Sequence, residues 1–437
     1  MRVSFIAVIV LASVLVAAVL PASPLAATMR TAGEPVELAK DDCIKNGKGF
    51  SRIPGTNACV KLGGFVRSQG ILLVNKKGDD YTWSKDYLGL FNISMDVKSV
   101  TSYGKLRGYG TANFAAGGKS SLHKFLLQLD ACSAGYDNSK SLMFGGYLPN
   151  YKYGRETYPS IASFASCTLT FPHGFNATFA IEDRAPGLTE IADTNGQNAD
   201  APKTQFHYVV SDKGVSSTPR QVAPNVVLVL GVEQGWGSAK VMGLATHAPY
   251  YDPDKSDLDS FGMAAGVGFE VSRIVIPMGK TQRVGMDKFG MRVVYSAGSV
   301  KHATAFFSND VSGALKVRDF SISGSGDDAE TSRNHAISGH FGSTHKLSDI
   351  VSLSLGLGYS VYLDGVEPTG EDKRPVAHRQ TVGVAIAVKP AAHLDVVLGW
   401  EGARESYTWR KVDSGDVTFP DDTRMWGLFG VRVTNSF

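Results

Sequence analysis

Period-two alternation that runs to the last residue constrains this chain more than any other feature. The final stretch is Met425-Trp-Gly-Leu-Phe-Gly-Val-Arg-Val-Thr-Asn-Ser-Phe437, and an upstream one is Val351-Ser-Leu-Ser-Leu-Gly-Leu-Gly-Tyr-Ser-Val-Tyr-Leu363. In the second, every odd position is Val, Leu or Tyr, and the even ones are Ser, Gly and one Tyr. Successive side chains of a strand point to opposite faces, so one face is apolar and the other small and polar. Residues 261–270 repeat the pattern with Phe, Met, Ala, Val and Phe on one face. In 381–389 and 393–401 the apolar set moves to even positions, and Lys389, Asp395 and Glu401 fall on the other face. Such strands build either a soluble sandwich, polar side out, or a transmembrane barrel with lipid outside and water within.

The N-terminus decides between them. Arg2 precedes a mostly apolar run over residues 3–20, followed by Pro21, Pro24 and small residues to Ala27, which reads as a signal peptide over residues 1–27. A signal anchor is the competing reading, and the two prolines favour cleavage. No later segment has ~18 consecutive apolar residues, so a mature chain destined for a bilayer must satisfy its backbone by closing a sheet. The formal net charge of +3 is too small to argue for nucleic acid, and 43% hydrophobic against 19% charged residues excludes global disorder.

Residues 28–60 read as an N-terminal periplasmic or rim segment, because Arg52-Ile-Pro-Gly-Thr-Asn-Ala-Cys59 is rich in turn residues. From Lys61 to Phe437 strand signals recur, with 141–148 and 164–171 among them, and define an all-β fold: an antiparallel transmembrane barrel over 61–437 of about 16 strands. Four cysteines behind a secretion signal suggest disulfides. Cys43 and Cys59 bracket the turn-rich loop and are expected to close it, whereas the pairing of Cys132 with Cys167 is left open.

Enzyme chemistry is not expected. The chain has no Gly-x-Ser-x-Gly elbow, phosphate-binding Gly-Lys-Ser/Thr loop or His-Glu-x-x-His. His335, His340 and His345 are five apart, which alternates faces in a strand and makes poor ligand geometry. No cofactor and no metal are expected.

One segment is specific enough to carry a resemblance. Cys43-Ile-Lys-Asn-Gly-Lys-Gly-Phe-Ser-Arg-Ile-Pro-Gly-Thr-Asn-Ala-Cys-Val-Lys-Leu-Gly-Gly-Phe-Val-Arg67 closely resembles the start of mature porins of rhizobial-type alphaproteobacteria. Weaker anchors follow at Thr101-Ser-Tyr-Gly-Lys-Leu-Arg107, Gly174-Phe-Asn-Ala-Thr-Phe-Ala-Ile-Glu-Asp183, Trp236-Gly-Ser-Ala239 and the terminal Phe437. The resemblance implies a homotrimeric, 16-stranded diffusion channel of the outer membrane, embedded in lipid and lipopolysaccharide and passing small hydrophilic solutes and ions. It also implies that Phe437 looks like a signal to the outer-membrane assembly machinery. Relatives carry a long third loop that folds into the barrel. Here the matching loop, near 149–163, looks short and poor in acidic residues, with Lys152, Arg155 and Glu156 at its entry.

Further lumen candidates are polar positions on otherwise apolar strands. Lys105 and Arg107 follow a Tyr-Gly turn and share one face, and Arg432 lies opposite Phe429, Val431 and Val433. A rim charge is the competing reading for each, because strand register is not visible in sequence. With few carboxylates in the loop, a weak anion preference is expected, opposed by Asp96, Asp395 and Glu401. A surface adhesion or binding barrel, and a substrate-specific porin, are the alternative functions.

Overall fold

The structure, a computed structural model, describes residues 42–77, 80–117, 120–144, 161–183, 224–247, 261–278, 282–303, 320–323, 330–363, 373–411 and 422–437. The expected signal peptide, residues 1–27, lies outside them. Among the described residues no helix is long and apolar enough to cross a membrane; the chain crosses with strands.

Sixteen strands close into an antiparallel barrel. In chain order they are β1 (Cys59–Lys77), β2 (Asp80–Thr101), β3 (Gly104–Ala115), β4 (Ser120–Leu129), β5 (Cys132–Asn138), β6 (Ile161–Thr170), β7 (Phe175–Glu182) and β8 (Asn225–Gln234). Then follow β9 (Gly237–His247), β10 (Phe261–Met278), β11 (Gln282–Ala297), β12 (His335–Lys346), β13 (Val351–Leu363), β14 (Lys373–Ala391), β15 (Leu394–Lys411) and β16 (Asp422–Ser436). Each strand pairs with its sequence neighbours, and β16 pairs with β1 from Arg424↔Lys77 to Ser436↔Phe65, which leaves no open edge around the ring. A separate two-stranded ribbon joins Phe320–Ser323 to Glu330–Arg333 between β11 and β12.

The two ends differ. At one end the turns are short, such as 102–103 between β2 and β3, 130–131 between β4 and β5, and 235–236 between β8 and β9. Both the start of β1 and Phe437 lie at this end. At the other end the connections include 139–160, 183–224 and 298–334. In an outer-membrane barrel the short-turn end faces the periplasm.

The register sorts the side chains as the alternation requires. Leu357, Val382, Val384, Ile386, Leu398, Phe429 and Val431 are exposed on one face, and the pairings Leu357↔Val382, Val384↔Trp400 and Leu398↔Val431 keep that face continuous across β13 to β16. A Lys or Arg placed there at the bilayer midplane would cost ~2–4 kcal/mol. Arg379, Glu401 and Glu405 lie on the opposite, inner face, where they are buried. Lys389 pairs with Asp395 at 3.7 Å near the β14–β15 turn.

One expectation is corrected here. Residues 141–148 are not a strand where described: β5 ends at Asn138, and 139–144 turn into the barrel. The next strand starts at Ile161 rather than Phe164, and most of the expected third loop, near 149–163, lies outside the described residues. The cause of the misreading is physical. Met143 and Phe144 are apolar because they pack on the inner wall, and an apolar run packed on a wall looks like a buried strand in sequence. Both cysteine pairs are joined. Cys43 bonds Cys59 across 16 residues, and Cys132 bonds Cys167, its directly opposite partner on β6.

Candidate functional site in the barrel lumen

The inner face divides into two regions. On β7 to β14 it carries a large apolar patch among polar groups such as Arg292 and Arg379. Ala180, Val227, Val229, Met242, Leu244, Ala264, Val294, Ala336, Tyr362 and Ala377 form one buried cluster, joined by Met143 of the third loop and by Val300 and Ala303 beyond β11. Two segments therefore fold back from the long-loop end onto this wall. The sequence carries a signal for it: β8 reads Asn225-Val-Val-Leu-Val-Leu-Gly-Val232, an apolar run without alternation, as expected where both faces are covered.

The third loop is seated by shape and held by charge. Gly266 and Gly268 on β10 form the seat: a Cβ at Gly266 would lie 2.5 Å from the Met143 Cε, and one at Gly268 would lie 2.9 Å from the Phe144 ring. Two buried ionic groups then fix the backbone. The Glu182 carboxylate, at the end of β7 and 1% exposed, accepts the Ser139 hydroxyl at 2.6 Å and the Lys140 amide. From β11, Arg292, 3% exposed, donates to the carbonyls of both Met143 and Phe144 at 2.7 Å each. Charge-assisted bonds of this kind are about twice as strong as neutral ones. The Lys140 ammonium lies 4.0 Å over the Phe164 ring, and burial holds its pKa below the ordinary lysine value. Glu182 and Arg292 carry no motif of their own and escape a sequence reading.

The second region, on β16 and β1 to β5, carries polar groups beside a smaller apolar cluster of Ile71, Leu73 and Leu428 with Trp426 packed against it. Arg107 makes a bidentate pair with Asp96 at 2.9 and 2.9 Å. Arg432 donates to the Gln69 side chain at 2.9 Å, and Arg67 to the Thr434 hydroxyl at 3.3 Å. Lys124 pairs with Asp137 at 2.6 Å. Among the described residues no group of three or more His, Cys, Asp or Glu could hold a metal ion.

A closed barrel of this strand number, with an apolar outside and charged groups on its inner wall, belongs in a membrane. Comparison with known proteins adds the family: the porin subfamily matches residues 30–275, more than half of the chain. The chain belongs to this porin family. A relative from Sinorhizobium fredii (strain NBRC 101917 / NGR234), y4fJ, provisionally described as an outer membrane protein, is 29% identical over 198 residues, 44% of this chain. The match spans 57% of that relative's length. Among solved structures, the outer membrane channel DcaP of Acinetobacter baumannii superposes with a TM-score of 0.58 over 87% of this chain and 98% of its own, at 14% identity. That likeness concerns the fold alone. The protein is a porin of the outer membrane.

The structure places the predicted residues of this porin unevenly. Lys105, Arg107 and Arg432 all lie on the inner face, with Lys105 at the periplasmic rim, where its amide is bonded to the Asp130 carboxylate at 2.8 Å. Arg432 and Arg107 are on separate stretches of wall, two strands joined through β1 and β2. Lys152, Arg155 and Glu156 lie outside the described residues. Of the competing acids, Asp96 is paired with Arg107, and Glu401 is buried beside Leu428, its β16 partner. The histidines alternate as expected: His335 bonds the Tyr295 hydroxyl at 2.7 Å, whereas His340 lies on the inner wall opposite Arg292.

Proposed function

We propose that this porin is a water-filled channel for passive diffusion of small hydrophilic solutes and ions, working as a homotrimer without a catalytic step. The observation that carries the reading is the inner face. Arg67, Gln69, Arg107, Asp96, Lys124 and Arg432 are polar groups that a protein with a solid core would not gather inside a closed barrel. The apolar cluster and residues 139–144 narrow the lumen from one side, which leaves the polar stretch around Arg67, Asp96, Arg107, Lys124 and Arg432 as the path for water. On this reading Lys105, Arg107 and Arg432 line the pore, with Lys152, Arg155 and Glu156 on the loop. Their sum is positive, and a low-dielectric wall focuses it, so anions pass somewhat more readily than cations.

Refolded protein in a planar bilayer tests the reading. Stepwise open-channel currents in threes, with a salt-gradient reversal potential on the anion side, are expected. A barrel that inserts as a stable oligomer and carries no current would leave the adhesion or binding alternative in its place.

A further inference from the structure

The N-terminal segment does more than lead into β1. After the Asp42–Asn46 turn, the chain runs to Ser51–Arg52, which pairs with the first residues of β1 as Ser51↔Val60 and Arg52↔Cys59. This hairpin takes the place beside β1 that β16 vacates, since the last β16 pairing is Ser436↔Phe65. The Cys43–Cys59 disulfide closes it, and Arg52 ties its tip to the Thr56 carbonyl at 3.0 Å. Residues 46–50 then lie against two inner-face lysines. Lys98 Nζ donates to the Asn46 carbonyl at 3.1 Å and sits 4.5 Å over the Phe50 ring. A Cβ on Gly49 would meet the stem of Lys61 at 3.4 Å, and the ladder partner of Lys61 is Asp96. The clasp therefore reaches over the inner wall of β1 and β2 at the periplasmic end.

Cations cluster where it does so. Lys48 and Lys61 are exposed there, Lys98 and Arg107 are ladder partners on β2 and β3, and Lys105 ends the row at the rim. Asp96, spanning to Arg107, offsets one of these charges. We infer that the disulfide-closed clasp is a basic collar on the periplasmic mouth, and that it sets the ion preference of the exit separately from the third loop. Its ligand class is the small anionic solute, inorganic or carboxylate. This rests on the channel reading above.

The test is a reversal-potential measurement on the full mature chain, under a potassium chloride gradient. K48E/K61E is expected to lower the anion-to-cation permeability ratio roughly twofold at 0.1 M salt. The shift should fade at 1 M, where the screening length drops from about 10 Å to about 3 Å. Because the charges sit at one mouth, the variant should also change the asymmetry of the current–voltage curve in oriented channels. K48Q/K61Q, a gentler change, should give about half the shift by the same field argument, and it carries the test if the reversed pair does not fold. An unchanged ratio and unchanged asymmetry in conducting K48Q/K61Q channels at low salt would overturn the collar. A wild-type protein that assembles but never conducts would overturn the channel reading instead, and the collar with it.

Discussion

Phe437 and Gly64 exchange two backbone hydrogen bonds, of 3.1 and 3.2 Å, so the last residue of the chain is zipped into the first strand of the barrel. The Phe437 ring then lies outward, 65% exposed and 6.2 Å from the Phe91 ring. Gly64 makes the space: a Cβ there would sit 2.1 Å from the Asn92 carbonyl oxygen and 2.8 Å from the Phe437 ring. The seam that closes the barrel is thus built on a residue without a side chain.

Gly64→Val should therefore weaken closure. Overpacking of this kind costs about 1–3 kcal/mol. The expected result is a lower heat-modification temperature on gels and a lower urea midpoint, with β-content unchanged by circular dichroism. Equal midpoints for variant and parent would mean that the strands shift to admit the side chain freely.

Phe437→Ala separates seam from signal. The ring contact with Phe91 is peripheral, so the purified variant should refold in detergent nearly as well as the parent. If Phe437 is what the assembly machinery reads, the amount of trimer in outer membranes should fall severalfold while refolding is spared. Comparable amounts in cells would remove the signalling role.

The barrel was legible in sequence because alternation is a local property, and residues 351–363 or 425–437 declare both faces unaided. The inner wall was not. Val227 and Val229 face inward as Lys240 and Arg292 do, and nothing in their own spacing tells a lumen from a core. What decides is that Met143 and Val300 return to cover them, a long-range contact. Glu182 and Arg292 are invisible for the same reason: apart from the Ser139 hydroxyl their partners are backbone groups of residues 140–144, which have no side-chain identity to match. Residues 141–144 read as strand in sequence because residues that must fit an apolar seat are themselves apolar.

Removal of these two anchors should loosen the loop. Glu182→Gln keeps the size but loses the ionic acceptor for Ser139 and the Lys140 amide, and Arg292→Met leaves the Met143 and Phe144 carbonyls without their shared donor. Each unsatisfied buried group costs about 1–3 kcal/mol. Single-channel records of either variant should show noisier open states and altered conductance. Arg292→Lys should recover part of the effect, since an ammonium can reach one carbonyl well but lacks the guanidinium fork. Quiet channels of parental conductance in both Gln and Met variants would show that the Gly266 and Gly268 seat suffices.

Both disulfides should be present in protein isolated without reductant. The clasp closes a short loop, worth about 3 kcal/mol in the chain-entropy treatment, and the Cys132–Cys167 loop is worth roughly 4 kcal/mol. The second should deliver less, because the β5–β6 ladder already holds Cys132 opposite Cys167. Peptide mapping should recover both linked pairs, and reduction should lower the urea midpoint mainly through Cys43–Cys59. Alkylation of any of the four in native protein would contradict this.

The charge on the inner wall can be separated residue by residue. Asp96 accepts both Arg107 bonds, so Asp96→Asn should uncover a positive charge and raise the anion preference. Arg432→Glu together with Lys105→Glu should shift the reversal potential toward cations, because both side chains lie on the wall left to water. Lys152→Glu with Arg155→Glu should act in the same direction if the loop shares the constriction. The effects of the wall and loop pairs should add only if the two pairs stand well apart in space with no shared partners. A loop pair that shifts the potential while the wall pair does not would place the narrowest point at the loop alone. Strong cation selectivity in the unmodified channel would mean that Asp395 and the other inner carboxylates, not these lysines and arginines, set the field.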